Sequence, residues 1–123
     1  MADAKQVVLD FCAAWEARDQ ERIVDAFTDD GVYHNMPMQP ATGKDAIRAV
    51  LKMVLDPAAS VRFEVKHIAA EGDVVLTERL DTFEIGGKTV ALPVMGTFEV
   101  RQGKIAAWRD YFDLAQWTKQ VSG

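Results

Sequence analysis

The sequence has few cysteines and no long apolar run, and each shortage excludes a class of protein. The one cysteine, Cys12, cannot form a disulfide within the chain and offers no cysteine framework for a metal. The longest unbroken apolar run covers five residues, Phe11 to Trp15, and is far too short to span a membrane. The N-terminal MADAKQ lacks a basic segment followed by an apolar one, so we expect no signal peptide and a cytoplasmic location.

Positive charge is scarce as well. The 123 residues include 14 Lys and Arg against 19 Asp and Glu, which is a net charge of −5. This balance disfavours binding to nucleic acid, which needs clustered Lys and Arg, and to an anionic membrane surface. Hydrophobic residues make up 49% and charged residues 27%, which is typical of globular proteins. We therefore expect one domain over residues 1–123, long enough to bury a core and retain an interior pocket.

The apolar pattern changes from helical to extended spacing near Ser60. Before that point apolar residues recur at every third or fourth position, and after it they alternate with polar ones. This order predicts an α+β fold, in which helices cover one face of a curved antiparallel sheet and leave a cone-shaped cavity. The predicted helices are 4–17, 19–27 with Asp19 as N-cap, 44–55 and a short C-terminal one. Turns are predicted at 28–31 and 71–73. The predicted strands are 32–35, one that runs from residue 60 to the second of these turns, 74–85, 88–100 and 104–113.

Charged residues occur in two strands among apolar neighbours. Arg79 and Asp81 lie two residues apart and therefore share one face of their strand, and Asp110 lies between Trp108 and Phe112 on a face of the last strand. A carboxylate in apolar surroundings is costly unless it is paired, and one guanidinium can hold two carboxylates. We expect Arg79 to bridge Asp81 and Asp110, which separates their proton affinities and yields one acid and one base. The alternative is a buried ion pair that only locks the register of the sheet.

Two polar residues of the short strand can complete such a site. Tyr33 and Asn35 alternate onto one face and offer a hydroxyl and an amide that can orient a water molecule. The alternative is that both residues satisfy backbone groups near the end of the strand.

Other polar residues are expected to have structural roles. Asp113 precedes the last helix and is expected to be its N-cap, with Arg109 facing solvent or a partner. Cys12 lies in a helix beside aromatic residues and is expected to be a small buried hydrophobe. We expect His34 at the surface and His67 in a structural or solvent-facing position.

Three segments together resemble the limonene-1,2-epoxide hydrolases, a family within the NTF2-like or SnoaL-like cone folds. They are YHNMP at 33–37, RLD at 79–81 and WRDYFD at 108–113. They occur in the family's order and carry its five active-site residue types, and the resemblance spans nearly the whole chain. It implies no cofactor and no metal, and a homodimer formed through the sheet face. Because three residues precede the first predicted helix, we expect the family's N-terminal extension to be shorter or absent.

The resemblance implies a role for each of the five residues. Asp110 is the general base for a water held by Tyr33 and Asn35, Asp81 is the acid that protonates the epoxide oxygen, and Arg79 links the two carboxylates. The implied partners are water and a small apolar epoxide, terpene-like or cyclic. Water adds to it in one step by general acid–base catalysis and gives a vicinal diol.

Two other classes of function remain open, because the cone fold supports many activities. An isomerase or polyketide cyclase of this fold shuttles a proton through one Asp and needs no Arg between two carboxylates. A non-catalytic module that binds a small ligand predicts that Asp81 and Asp110 can each be replaced with a loss of stability only.

Overall fold

The computed structural model describes residues 3–122, and its elements follow the predicted order except between the second and third helices. No helix in this part of the chain is long and apolar enough to cross a membrane. The helices are α1 (Ala4–Glu16), α2 (Gln20–Asp25), α3 (Lys44–Leu55) and α4 (Leu114–Ser122). The strands are β1 (Phe27–Asn35), β2 (Ala41–Thr42), β3 (Ala58–Glu71), β4 (Val74–Ile85), β5 (Lys88–Arg101) and β6 (Lys104–Tyr111).

The six strands form one sheet in the order β2-β1-β6-β5-β4-β3. All neighbouring pairs are antiparallel except β1 and β6, which run parallel, so the sheet is mixed and the expectation of an antiparallel sheet was wrong in this respect. A hairpin turn forces an antiparallel pair, but β1 and β6 are connected through α3 and three long strands, which allows either direction. The parallel register sets Tyr33 opposite Trp108 and Asn35 opposite Asp110.

Residues 28–31 are extended and do not form the expected turn. They belong to β1, whose pairing with β6 is irregular between Phe27 and Val32. Phe27 is fully buried and pairs with Ile105, so α2 ends at Asp25 and not at residue 27. The turn-forming residues at 28–31 therefore make an irregularity of the β-bulge type inside a strand.

Local signals predict most other boundaries correctly. The bounds of α3 and β4 agree with the sequence pattern. The Asp19 carboxylate accepts a hydrogen bond from the backbone N–H of Arg22 at 3.1 Å, which confirms the predicted N-cap of α2. The last strand ends at Tyr111, two residues earlier than expected.

The core lies between the helices and one face of the sheet, which we call the covered face. Phe11 of α1 meets Trp108 of β6 edge-on with 4.9 Å between ring centroids, and Trp15 stacks on Phe63 of β3 at 5.0 Å. Along β4, Val75 is fully buried on the covered face, whereas Leu76 on the opposite face is 45% exposed. The two faces of β4, which the pattern of residues left ambiguous, are therefore distinct.

Candidate active site

A cavity of about 150 Å³ opens between the covered face of the sheet, α3 and α4. Its lining is mainly apolar, with Val50 and Met53 contributed by α3 and Trp117 by α4. Arg79 does not line the cavity and is only 1% exposed, but it contacts two residues that do. The lining side chains with a hydroxyl, amide or carboxyl group are Tyr33, Asn35, Asp81 and Asp110. The structure thus brings all five predicted site residues to one place.

Arg79 bridges the two buried carboxylates. On one side its Nε and Nη2 donate to Oδ1 and Oδ2 of Asp81 at 3.0 and 2.8 Å. On the other side Nη2 and Nη1 donate to Oδ2 and Oδ1 of Asp110 at 2.7 and 3.2 Å. Both pairs are bidentate, an arrangement that the fork of a guanidinium allows and a lysine ammonium does not. The predicted bridge is therefore present in the structure.

The parallel pairing of β1 with β6 places the two other polar groups beside Asp110. Tyr33 and Asn35 share a face of β1, as predicted from their spacing, and Asn35 lies directly opposite Asp110 in the register. Tyr33 is 5% exposed and its ring stacks on Trp108 with 4.4 Å between centroids. The hydroxyl, the amide and one carboxylate therefore meet at the same wall of the cavity.

Trp108 has a polar contact that the sequence reasoning missed. Its indole Nε1 donates to Oδ1 of Asp110 at 2.6 Å, whereas the sequence pattern treats Trp108 only as an apolar neighbour. A buried indole N–H needs an acceptor, and Asp110 two residues along the strand is on the same face. That spacing is the signal from which this bond could be predicted.

Burial changes the protonation of the site. It raises the pKa of Asp81 from 3.8 to about 6, against the lowering effect of the Arg79 charge and with a further raising effect of Asp110. Burial also raises the pKa of Tyr33, and the charge of Asp110 adds to this rise, so the phenol stays neutral. Burial opposes the charge of Arg79, but the two carboxylates outweigh it, raise the guanidinium pKa and keep it a cation. The site therefore combines a permanent cation with a carboxyl that titrates close to neutral pH.

The residues predicted to be structural lie outside the cavity. Asp113 accepts a hydrogen bond from the backbone N–H of Ala115 at 2.9 Å and caps α4. Burial raises the pKa of Cys12 to about 12, so its thiol is no nucleophile. His34 is half-buried at the surface with Nε2 2.9 Å from a backbone carbonyl, and His67 is exposed. Within residues 3–122 no group of three His, Cys, Asp or Glu side chains is arranged to hold a metal ion.

Comparison with known proteins identifies the family. The family model of the limonene-1,2-epoxide hydrolase catalytic domain matches residues 2–122. The chain belongs to the limonene-1,2-epoxide hydrolase family. Epoxide hydrolase EphG of Mycobacterium tuberculosis (strain ATCC 25618 / H37Rv) is 39% identical to it over 106 residues, which are 85% of this chain and 69% of that protein. The predicted family is confirmed, and the chain is an enzyme of the epoxide hydrolase type.

Solved structures agree with the family and with the cone fold. The structure of a limonene-1,2-epoxide-hydrolase-like epoxide hydrolase from M. tuberculosis has a TM-score of 0.84 at 33% identity and covers 97% of this chain and 89% of that one. A SnoaL-like protein from Shewanella putrefaciens CN-32 has a TM-score of 0.87 at 16% identity, with 99% and 98% of the two chains covered. At that low identity the second match shows the shared fold alone.

Proposed function

We propose that this family member adds water in one step to a small apolar epoxide and releases a vicinal diol, with Asp110 as general base and Asp81 as general acid. One observation carries the proposal: Arg79 holds two carboxylates at the wall of an apolar cavity, beside the hydroxyl of Tyr33 and the amide of Asn35. An epoxide is strained, so it needs a positioned nucleophile and a proton on the leaving oxygen. The two carboxylates serve these two needs.

The base side of the site consists of Asp110, Tyr33 and Asn35. Both carboxylate oxygens of Asp110 accept hydrogen bonds from Arg79 or Trp108. These bonds hold the carboxylate in one orientation. A water that contacts the phenol, the amide and this carboxylate is oriented by the first two, keeps one lone pair free for the epoxide carbon and loses a proton to the third. The apolar wall excludes competing water molecules.

The acid side of the site is Asp81. Because its pKa is raised to about 6, its carboxyl retains a proton closer to neutral pH than an ordinary Asp. As the carbon–oxygen bond of the epoxide breaks, Asp81 gives this proton to the ring oxygen and water forms the new carbon–oxygen bond. Asp110 takes one proton from the water, and exchange with solvent restores both carboxyls for the next turnover.

The cavity wall indicates the substrate class. Apart from the polar groups described above, it consists of aliphatic and aromatic side chains together with Met38 and Met53. Met38 is 49% exposed and Met53 76% exposed, which places two flexible side chains where the lining meets solvent. This composition suits a terpene-like or cyclic epoxide that is held by shape and apolar contact.

A homodimer and a cytoplasmic location stay predictions. The open face of the sheet supports the first of these, because it exposes Leu76, Met95 and Tyr111 to between 45% and 50%. A dimer that covers this face leaves the cavity on the opposite face of each protomer free.

The test is a single turnover of limonene oxide or cyclohexene oxide in ¹⁸O-labelled water, with enzyme in excess over epoxide. Direct attack by water places the label in the first diol formed and leaves every Asp unlabelled. If the first diol carries oxygen from the protein and label enters Asp110 or Asp81 over later turnovers, the nucleophile is a carboxylate and Asp110 is not a base. Absence of diol from a whole panel of apolar epoxides contradicts the proposed substrate class.

A further inference from the structure

Three residues lie opposite one another on neighbouring strands next to the Arg79 guanidinium. Thr77 of β4 pairs with Gly96 of β5, and Gly96 pairs with Asp110 of β6. All three are buried, and Thr77 is 0% exposed. Arg79 begins two residues along β4 from Thr77, so its side chain must cross β5 diagonally to reach Asp110. Gly96 occupies the point of that crossing.

Thr77 completes the hydrogen bonding of Arg79. A guanidinium has five N–H donors, and the two aspartates accept from four of them. The fifth, on Nη1, is donated to Oγ1 of Thr77 at 3.1 Å. Without this hydroxyl a charged donor is buried with no acceptor among its neighbours, or the guanidinium turns and weakens a bond to an aspartate.

Gly96 provides the space through which Arg79 passes. A Cβ atom at residue 96 lies closer to Nη1 of Arg79 than real Cβ contacts allow, 2.7 Å from Oδ1 of Asp110 and 3.0 Å from Oγ1 of Thr77. The backbone of Gly96 has no positive φ, unlike four glycines in turns and Gly43 at the start of α3, so its conformation is open to other residues. The position therefore requires the lack of a side chain and not the flexibility of glycine.

We propose that Thr77 and Gly96 are positioning residues that orient Arg79 between the acid and the base. Neither reaches the cavity lining, so they act through Arg79 and not on the substrate. The inference rests on the proposed roles of Asp81 and Asp110. The alternative is that both residues serve only to fill the sheet.

The first test compares Thr77→Val with Thr77→Ser. Valine keeps the shape and removes the acceptor, so we expect kcat to fall about tenfold with KM nearly unchanged, the size of loss that one unpaired buried donor causes. The acidic limb of the pH profile moves to higher pH, because a displaced guanidinium stabilises the charged carboxylates less. Serine keeps the hydroxyl and restores both values. Thr82→Val, on the open face of the same strand, is the matched control and leaves kcat unchanged.

The second test places a methyl group at residue 96. Gly96→Ala pushes the guanidinium from Asp110, and we expect kcat to fall at least about a hundredfold, as in loss of a general base. A folded Gly96→Ala with full activity overturns the proposal for Gly96. If this variant does not fold, the Thr77 variants decide whether the neighbours of Arg79 position its guanidinium. The proposal for Thr77 fails if Thr77→Val keeps its kcat and pH profile, or if Thr77→Ser is equally impaired.

A third measurement does not depend on epoxide turnover. The guanidinium N–H signals of Arg79 in ¹⁵N-resolved NMR spectra are expected to shift in Thr77→Val and to return in Thr77→Ser. If the wild type forms no diol but these signals behave as expected, the proposed function fails and the positioning of Arg79 stands. If the signals are the same in the wild type, Thr77→Val and Thr77→Ser, Thr77 does not position Arg79.

Discussion

Two arginines on the sheet pair with carboxylates at similar distances but in opposite surroundings. Arg79 contacts Asp81 and Asp110 at 2.8 and 2.7 Å with 0% of its side chain exposed. Arg109 contacts Glu99 at 2.6 Å on the other face, where the two side chains are 31% and 48% exposed. The exposed pair is the shorter one, yet water and salt screen it, while burial raises the pKa of Asp81 to about 6. Removal of water, and not contact distance, makes the first cluster suited to acid–base chemistry.

Loss of the proposed base is expected to have the largest effect, and it affects the buried cluster alone. Asp110→Asn keeps the shape of the buried cluster and removes the proton acceptor, so diol formation is expected to fall by about 10²–10⁴-fold. The measurement is the initial rate of diol release from a saturating epoxide. Asp113→Asn removes only a charge, because the amide oxygen of Asn still accepts the backbone N–H that caps α4, so this control keeps most of the activity. Near-native turnover by Asp110→Asn assigns the base to another residue.

Loss of the central cation comes next. Arg79→Ala leaves two buried carboxylates unpaired and is expected to lower the free energy of unfolding by about 3–5 kcal/mol. Arg79→Lys retains a charge but cannot fork to both aspartates, so its activity is also severely reduced. Arg109→Ala is the control and costs about 0.2–1 kcal/mol, because its pair is exposed.

Urea unfolding at pH 7 measures the free energy of unfolding of Arg79→Ala and Arg109→Ala. An Arg79→Ala protein that is fully active and as stable as Arg109→Ala refutes the bridge and makes the two ion pairs equivalent.

The pH dependence of stability is the smallest of the expected differences. The pKa of Asp81 is about 6 in the folded protein against an ordinary 3.8, so the folded state binds the proton more tightly. The stabilisation from this group is therefore complete below about pH 4 and is lost as the pH rises through about 6. Asp81→Asn is expected to remove this part of the pH dependence, and Glu99→Gln to retain it. Urea unfolding between pH 4 and pH 8 compares them, and an unaltered slope in Asp81→Asn contradicts the raised pKa.

The sequence predicted the alternation of residues along single strands and the order of the elements. It missed the direction in which β1 joins β6 and the extended path of residues 28–31. Both errors concern pairing between distant segments. The same residues, Thr, Asp, Asp and Gly, form turns in one context and a strand irregularity in another, because the partner strand decides whether the chain can pair.

The sequence by itself determined that Arg79 shares a face with Asp81, and Tyr33 with Asn35, since alternation is a property of each strand alone. The cost of an unpaired carboxylate in apolar surroundings predicted that Arg79 joins Asp81 to Asp110, and the family resemblance implied the role of each residue. Only the tertiary structure decided that Arg79 passes over Gly96 to reach Asp110. The physical reason is that register between strands places atoms from distant parts of the chain within 3 Å, and no local pattern contains that register.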